Sequence, residues 1–149
     1  IGRLRNWTAF AYFQKGTLLL FAGQETGTAH LPDLFEKDPI VWSREEDLTP
    51  LLQRLQRFKR EAAVRDGSYG LKAADGSETV IGQYRLGNER LTGIFCLDGK
   101  SAKVAVDLPD GIHRNLLDDE EYQVRDGILE TRSLPILFKS YGEALLTEV

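Results

Sequence analysis

Gly16-Thr17-Leu18-Leu19-Leu20-Phe21-Ala22-Gly23-Gln24-Glu25 is a short, continuously apolar run closed by a glycine at each end. Apolar residues without alternation over so few positions suit a strand buried on both faces, as in parallel sheets covered by helices. Upstream, Leu4, Trp7, Phe10 and Ala11 recur at helical spacing, and Gly16 stops the pattern as a helix-ending glycine does. A helix leading into a buried strand is the connection of an α/β unit.

Beyond this run, Gln24 to Glu46 reads as a long loop, with Gly27, Pro32 and Pro39 and few periodic apolar positions. A loop of that length in a compact domain is usually functional or an excursion from a scaffold. Thr49-Pro50 then marks a helix start, with Thr49 as N-cap and Pro50 at the first helical position. Leu51, Leu52, Leu55, Phe58 and Ala62 form its apolar stripe. The acidic run Glu45-Glu46-Asp47 precedes this N-terminus, where negative charge is favoured.

From about Asp66 the period changes to two. Asp66-Gly67, Asp75-Gly76, Gly87-Asn88, Asp98-Gly99, Asp110-Gly111 and Asp126-Gly127 punctuate the chain. The strands predicted between them are 68–73, 79–86, 91–97, 102–108, 112–116, 122–124, 127–131 and 134–138. Short strands with Gly/Asp turns at such spacing indicate a sandwich or barrel, and turns this short predict that neighbours in sequence pair antiparallel.

The chain has 149 residues and a formal net charge of −4, with both signs interspersed. That mixture lacks the basic stripe of a nucleic-acid-binding protein. No stretch approaches the roughly 20 apolar residues of a membrane helix, so no membrane partner is expected. Cys96 is the only cysteine, in the apolar run Ile94-Phe95-Cys96-Leu97. It reads as a buried thiol, and its isolation fits a reducing, cytoplasmic setting. His30 and His113 lack metal-site spacing, and neither a cofactor nor a metal is expected. The sequence contains no Met and starts at Ile1, directly before a helical pattern, so further sequence upstream is expected.

The order of these motifs resembles the α-amylase family of glycoside hydrolases. Leu4–Phe13 followed by Gly16–Glu25 is similar to the seventh helix and eighth strand of that family's (β/α)8 barrel. Asp38-Pro39-Ile40-Val41-Trp42 resembles its Asp-Pro-apolar-x-Trp segment, with Lys37 where an arginine is usual. The Leu51–Glu61 helix and its cluster Arg57-Phe58-Lys59-Arg60 resemble the eighth barrel helix. Gly67-Ser68-Tyr69 resembles the opening of the C-terminal β-sandwich, and Asn115-Leu116-Leu117, Asp126-Gly127-Ile128-Leu129 and Leu134–Phe138 resemble its closing pattern.

The resemblance implies an α+β chain: a helix–strand–helix remnant of a (β/α)8 barrel over residues 1–66, followed by an antiparallel β-sandwich over 67–149. It implies an enzyme that hydrolyses or transfers α-glucosidic linkages, with starch-like α-glucan or maltooligosaccharide as partner of the complete enzyme. Such chemistry needs a pair of carboxyl groups on other barrel strands. No segment here matches those motifs, so no catalytic residue is assigned and this chain alone is expected to be inactive. Gln24 and Glu25, at the C-terminal end of the eighth strand, are the candidate substrate-binding residues, with Trp42 as a sugar-stacking candidate and His30 as a lesser one. The alternative is an independent carbohydrate-binding or interaction module. A free module would not need the isolated apolar strand near the start, whereas a barrel terminus would. Open strand edges at Thr17–Ala22 lead us to expect a homodimer of the chain in isolation.

Overall fold

The computed structural model describes residues 1–42 and 46–142, so Glu45 of the acidic run lies outside the described residues. Three helices, α1 (Gly2–Phe13), α2 (Thr49–Lys59) and α3 (Ala62–Asp66), precede eight strands. The strands are β1 (Ser68–Ala73), β2 (Thr79–Leu86), β3 (Glu89–Cys96), β4 (Lys103–Ala105), β5 (Gly111–Arg114), β6 (Glu121–Arg125), β7 (Ile128–Glu130) and β8 (Ile136–Tyr141). Every predicted strand is present, several shortened at their ends. They form two antiparallel sheets, ordered β1-β2-β3-β8 and β4-β7-β6-β5. Sequence neighbours pair where a tight turn joins them. The β6–β7 turn is Asp126-Gly127, both residues at positive φ (50° and 70°), as the twist of a two-residue hairpin demands. Pairing of neighbours fails from β3 to β4, β4 to β5 and β7 to β8, where the chain changes sheet or skips a place.

The first sheet is covered twice. One core lies between it and the helices and includes Phe13, Leu55, Phe58, Tyr84, Leu91 and Phe95. A second lies between the two sheets and includes Ile81, Ile94, Val104, Val124, Leu129 and Phe138. Successive side chains of a strand point to opposite faces. A strand covered on both faces therefore loses its alternation, and Leu91 to Cys96 are all buried.

The helices attach through one ring. Gly82 and Gly93 are directly paired across β2 and β3. A Cβ at Gly82 would lie 2.2 Å from Phe13 Cε1, and one at Gly93 would lie 2.8 Å from Phe13 Cε2. The two glycines thus leave a dent in which the Phe13 ring sits. Phe58 lies nearly parallel to it with centroids 5.2 Å apart, and Tyr84 and Phe95 approach at 5.1 and 5.2 Å. The Tyr84 hydroxyl donates to the Phe13 carbonyl at 2.8 Å. Burial, with the nearby Tyr69 adding to it, pushes the Tyr84 pKa up to about 12, so the hydroxyl keeps its proton at neutral pH.

The buried face of α1 differs from the predicted one. Leu4 and Trp7 are exposed, whereas Asn6, Ala9, Tyr12 and Phe13 are buried. Asn6 is tolerated inside because its amide is fully used. Nδ2 donates to the carbonyls of Gly2 (2.8 Å) and Ser133 (2.9 Å), and Oδ1 accepts from the Cys96 amide (2.8 Å). Cys96 is fully buried, its sulfur 3.2 Å from Thr131 Oγ1 and 3.7 Å from Thr79 Oγ1.

In α2 the predicted stripe is buried at Leu51, Leu52, Leu55 and Phe58, but Ala62 is exposed because the helix breaks before it. The cap also differs. Thr49 is already helical, and its amide donates to Asp47 Oδ1 at 2.9 Å. The Thr49 side chain first, and then this amide, lower the Asp47 pKa.

Residues Thr17–Ala22 form no ladder with any described strand. A strand needs a neighbour for its amides and carbonyls, and none of the eight described strands runs beside this segment. Leu19 and Phe21 remain 70% and 62% exposed.

The seating of Phe13 has a direct test. Phe13→Ala is expected to cost about 3–5 kcal/mol, and Gly82→Ala about 1–3 kcal/mol by overpacking. With the ring gone, Gly82→Ala should cost little. Denaturant unfolding of the single and double variants reads this coupling, and strictly additive losses would contradict the arrangement.

Candidate functional site

The apolar run Leu18–Phe21 ends in a tight turn. Gly23 has φ +98° and Gly27 φ +66°, conformations that glycine adopts without strain, and a short 3-10 turn, Gln24–Thr26, lies between them. The candidate side chains Gln24 and Glu25 hold this turn together. Gln24 Oε1 accepts from the Phe21 amide at 2.9 Å, and Glu25 Oε2 accepts from the Gly23 amide at 2.8 Å. The Glu25 carbonyl accepts the Leu48 amide at 2.7 Å, which ties the turn to the start of α2. Among the described residues each side chain thus has one polar atom bonded to the backbone and a second without a hydrogen-bond partner.

The segment carrying Trp42 returns beside this turn. A Cβ on Gly23 would lie 3.4 Å from Ile40 Cγ2. Trp42 itself is 59% exposed. His30 faces Asp38, with Nε2 and Oδ2 2.8 Å apart, and the same carboxylate oxygen accepts the Asp33 amide at 2.8 Å. Asp33 Oδ1 in turn accepts the amides of Phe35 and Glu36. These two aspartates fold 30–38 into a fixed loop whose Leu31, Leu34 and Phe35 side chains stand in solvent. Asp38 was visible in the sequence only within its Asp-Pro motif. Its clamp role is set by His30 and Asp33, which no local spacing announces.

The turn, the exposed apolar run and the helix-backed sandwich have counterparts in known proteins. Residues 70–138 match the family model described as the bacterial α-amylase C-terminal domain. An α-amylase structure from Lactobacillus plantarum is 34% identical, covers 93% of this chain and superposes with a TM-score of 0.84. The chain is similar to the C-terminal part of α-amylases. A maltogenic α-amylase from Thermotoga neapolitana (17% identity, 94% of this chain, TM-score 0.74) and an α-amylase from Anoxybacillus (16%, 97%, 0.66) share the fold. This chain spans 33%, 36% and 33% of those three structures' own lengths. No curated protein sequence matches it. Among the described residues no helix is long and apolar enough to cross a membrane.

The Asp38 clamp predicts a pH response. The Asp33 amide, and then His30, hold the Asp38 carboxyl below its ordinary value. A lowered carboxyl pKa gives loop order that is complete above the ordinary carboxylate range and lost as pH falls through the lowered value. Carbon NMR of the Asp38 carboxyl should show that depressed midpoint, and Asp38→Ala should speed hydrogen exchange at the Asp33 amide. A midpoint above the ordinary range would contradict the clamp.

Proposed function

We propose that this chain is the closing part of an α-amylase-family enzyme that hydrolyses or transfers α-glucosidic linkages in starch-like glucans or maltooligosaccharides. In this reading residues 1–66 complete a (β/α)8 barrel and residues 67–149 form the C-terminal β-sandwich. The observation that carries it is the bare run Leu18–Phe21 leading into the knitted Gly-Gln-Glu turn. The run has strand-like composition and no described strand beside it, and a barrel would supply neighbours on both edges. Strand ends at the C-terminal face of such barrels line the active site. Gln24 Nε2 and the second Glu25 oxygen then stand where a sugar hydroxyl is met, and the Trp42 face offers a stacking surface at the rim. The buried lone thiol Cys96 suits a cytoplasmic enzyme. In isolation the chain covers its bare strand by pairing with a second copy.

The test uses two polypeptides, this chain and one that also carries the preceding barrel sequence. The longer one should release reducing sugar from starch, and this chain alone should release none. In the longer protein Glu25→Ala should lower kcat/KM by up to about a hundredfold through misplacement of the turn. Activity of this chain alone, surviving repurification, would overturn the assignment.

A further inference from the structure

Five Asp-Gly pairs punctuate the chain, at residues 66–67, 75–76, 98–99, 110–111 and 126–127. Such a pair forms turns, and it is also chemically labile. Glycine carries no side chain to keep its amide nitrogen away from Cγ of the preceding aspartate. Closing the five-membered succinimide ring needs two things. The Gly amide must be free to lose its proton and reach Cγ, and the carboxyl must be free to take up a proton so that water can leave.

The fold withholds one or both from four of the pairs. The Gly67 amide donates to the Ala63 carbonyl at 2.9 Å, and Gly67 is buried. Arg65 holds the Asp66 carboxylate at 2.8 Å and lowers its pKa. The Gly99 amide donates to the Cys96 carbonyl at 2.9 Å, and Asp98 Oδ1 accepts the Lys100 amide at 3.0 Å. Asp110 protects two pairs at once. Its Oδ1 accepts the Gly127 amide at 3.0 Å and its Oδ2 the Asp126 amide at 2.8 Å. These bonds, that from Gly127 first, hold the Asp110 carboxyl below its ordinary range. The first of them also occupies the nitrogen that would attack Asp126.

Asp75-Gly76 has neither protection. It lies at the tip of the connection between β1 and β2, and both residues are exposed. Among the described residues, neither the Asp75 carboxyl nor the Gly76 amide has a hydrogen-bond partner. A Cβ at Gly76 would meet nothing within 4 Å, so no neighbour obstructs ring closure. The connection is tied only at its base, where the Ala74 amide donates to the Thr79 carbonyl (2.8 Å) and the Leu97 amide to that of Glu78 (2.9 Å).

We propose that Asp75 is a site of spontaneous covalent modification, converting through a succinimide to isoaspartate in the folded protein while the other four pairs persist. The Gly76 nitrogen gives up its proton and bonds to Cγ of the protonated Asp75 carboxyl. The Cγ–OH bond breaks, and hydroxyl and proton leave as one water. Water then adds back to the ring. Attack at Cγ restores aspartate. Attack at the main-chain carbonyl breaks its bond to the Gly76 nitrogen, and the chain then runs through Cγ. The product has one more methylene in its main chain. Because β2 is the sole ladder partner of β1, the change loosens the end of an edge strand.

Peptide mapping of the 149-residue chain after incubation at neutral pH tests this. Each pair falls in a different tryptic peptide, that of Asp75 being residues 73–85. Electron-transfer fragmentation distinguishes isoaspartate from aspartate. In the folded chain the 73–85 peptide should convert about tenfold or more faster than the other four, the factor expected where a hydrogen bond must open first. In urea all five should convert at similar rates. Asp75→Ser should abolish conversion in its peptide. In Asp110→Ala the 126–132 peptide should gain rate over the remaining pairs. Hydrogen exchange at the Ala74 amide should be faster in the converted fraction. Equal conversion of all five pairs in the folded chain, faster conversion at any of the other four, or the same preference for Asp75 in urea would overturn the proposal. An unchanged 126–132 peptide in folded Asp110→Ala would overturn the protection assigned to that carboxylate.

Discussion

One aromatic ring resting on two glycines couples the helices to the sheet. Without side chains at Gly82 and Gly93, the sheet is thin enough for Phe13 to reach its backbone, and Phe58, Tyr84 and Phe95 enclose the ring. The polar end of the same helix is satisfied by the same neighbours. The last carbonyls of a helix lack partners within it. Tyr84 takes that of Phe13, and Lys59 Nζ donates to those of Gln14 and Gly16. Placing the Lys59 ammonium there opposes the negative end of the helix dipole, and its partial burial lowers its pKa. Ring, hydroxyl and ammonium together fix where α1 ends, and so where the chain enters the Gly16–Glu25 segment.

This explains why the apolar run stays bare. The first sheet is already covered on one face by the helices and on the other by the second sheet. Burial at about 25 cal/mol per Å2 would favour covering these side chains, but none of the described strands pairs with them.

Much of this fold was legible because its signals are local. Gly/Asp turns and period-two stretches placed all eight strands, and the Leu51–Phe58 stripe placed α2 and its buried side. Three kinds of information were not local. Which strands pair across a change of sheet depends on packing distant segments. Asn6 reads as a wet position until the Ser133 carbonyl and Cys96 amide, far away in sequence, are brought to it. The Leu18–Phe21 run reads as a strand because composition reports burial potential, whereas a ladder also needs a neighbour. At the candidate site, Gln24 and Glu25 were found through motif order.

Cys96 sits where α1, the first sheet and the loop after β7 meet, sealed by Thr79 and Thr131 and with its own amide held by Asn6. A thiol reagent reaches that sulfur only after those layers part. As the chain's single cysteine, it is a built-in clock. Its labelling rate measures how often the junction opens, and any partner that clamps the helices onto the sheet would slow it without touching the sulfur.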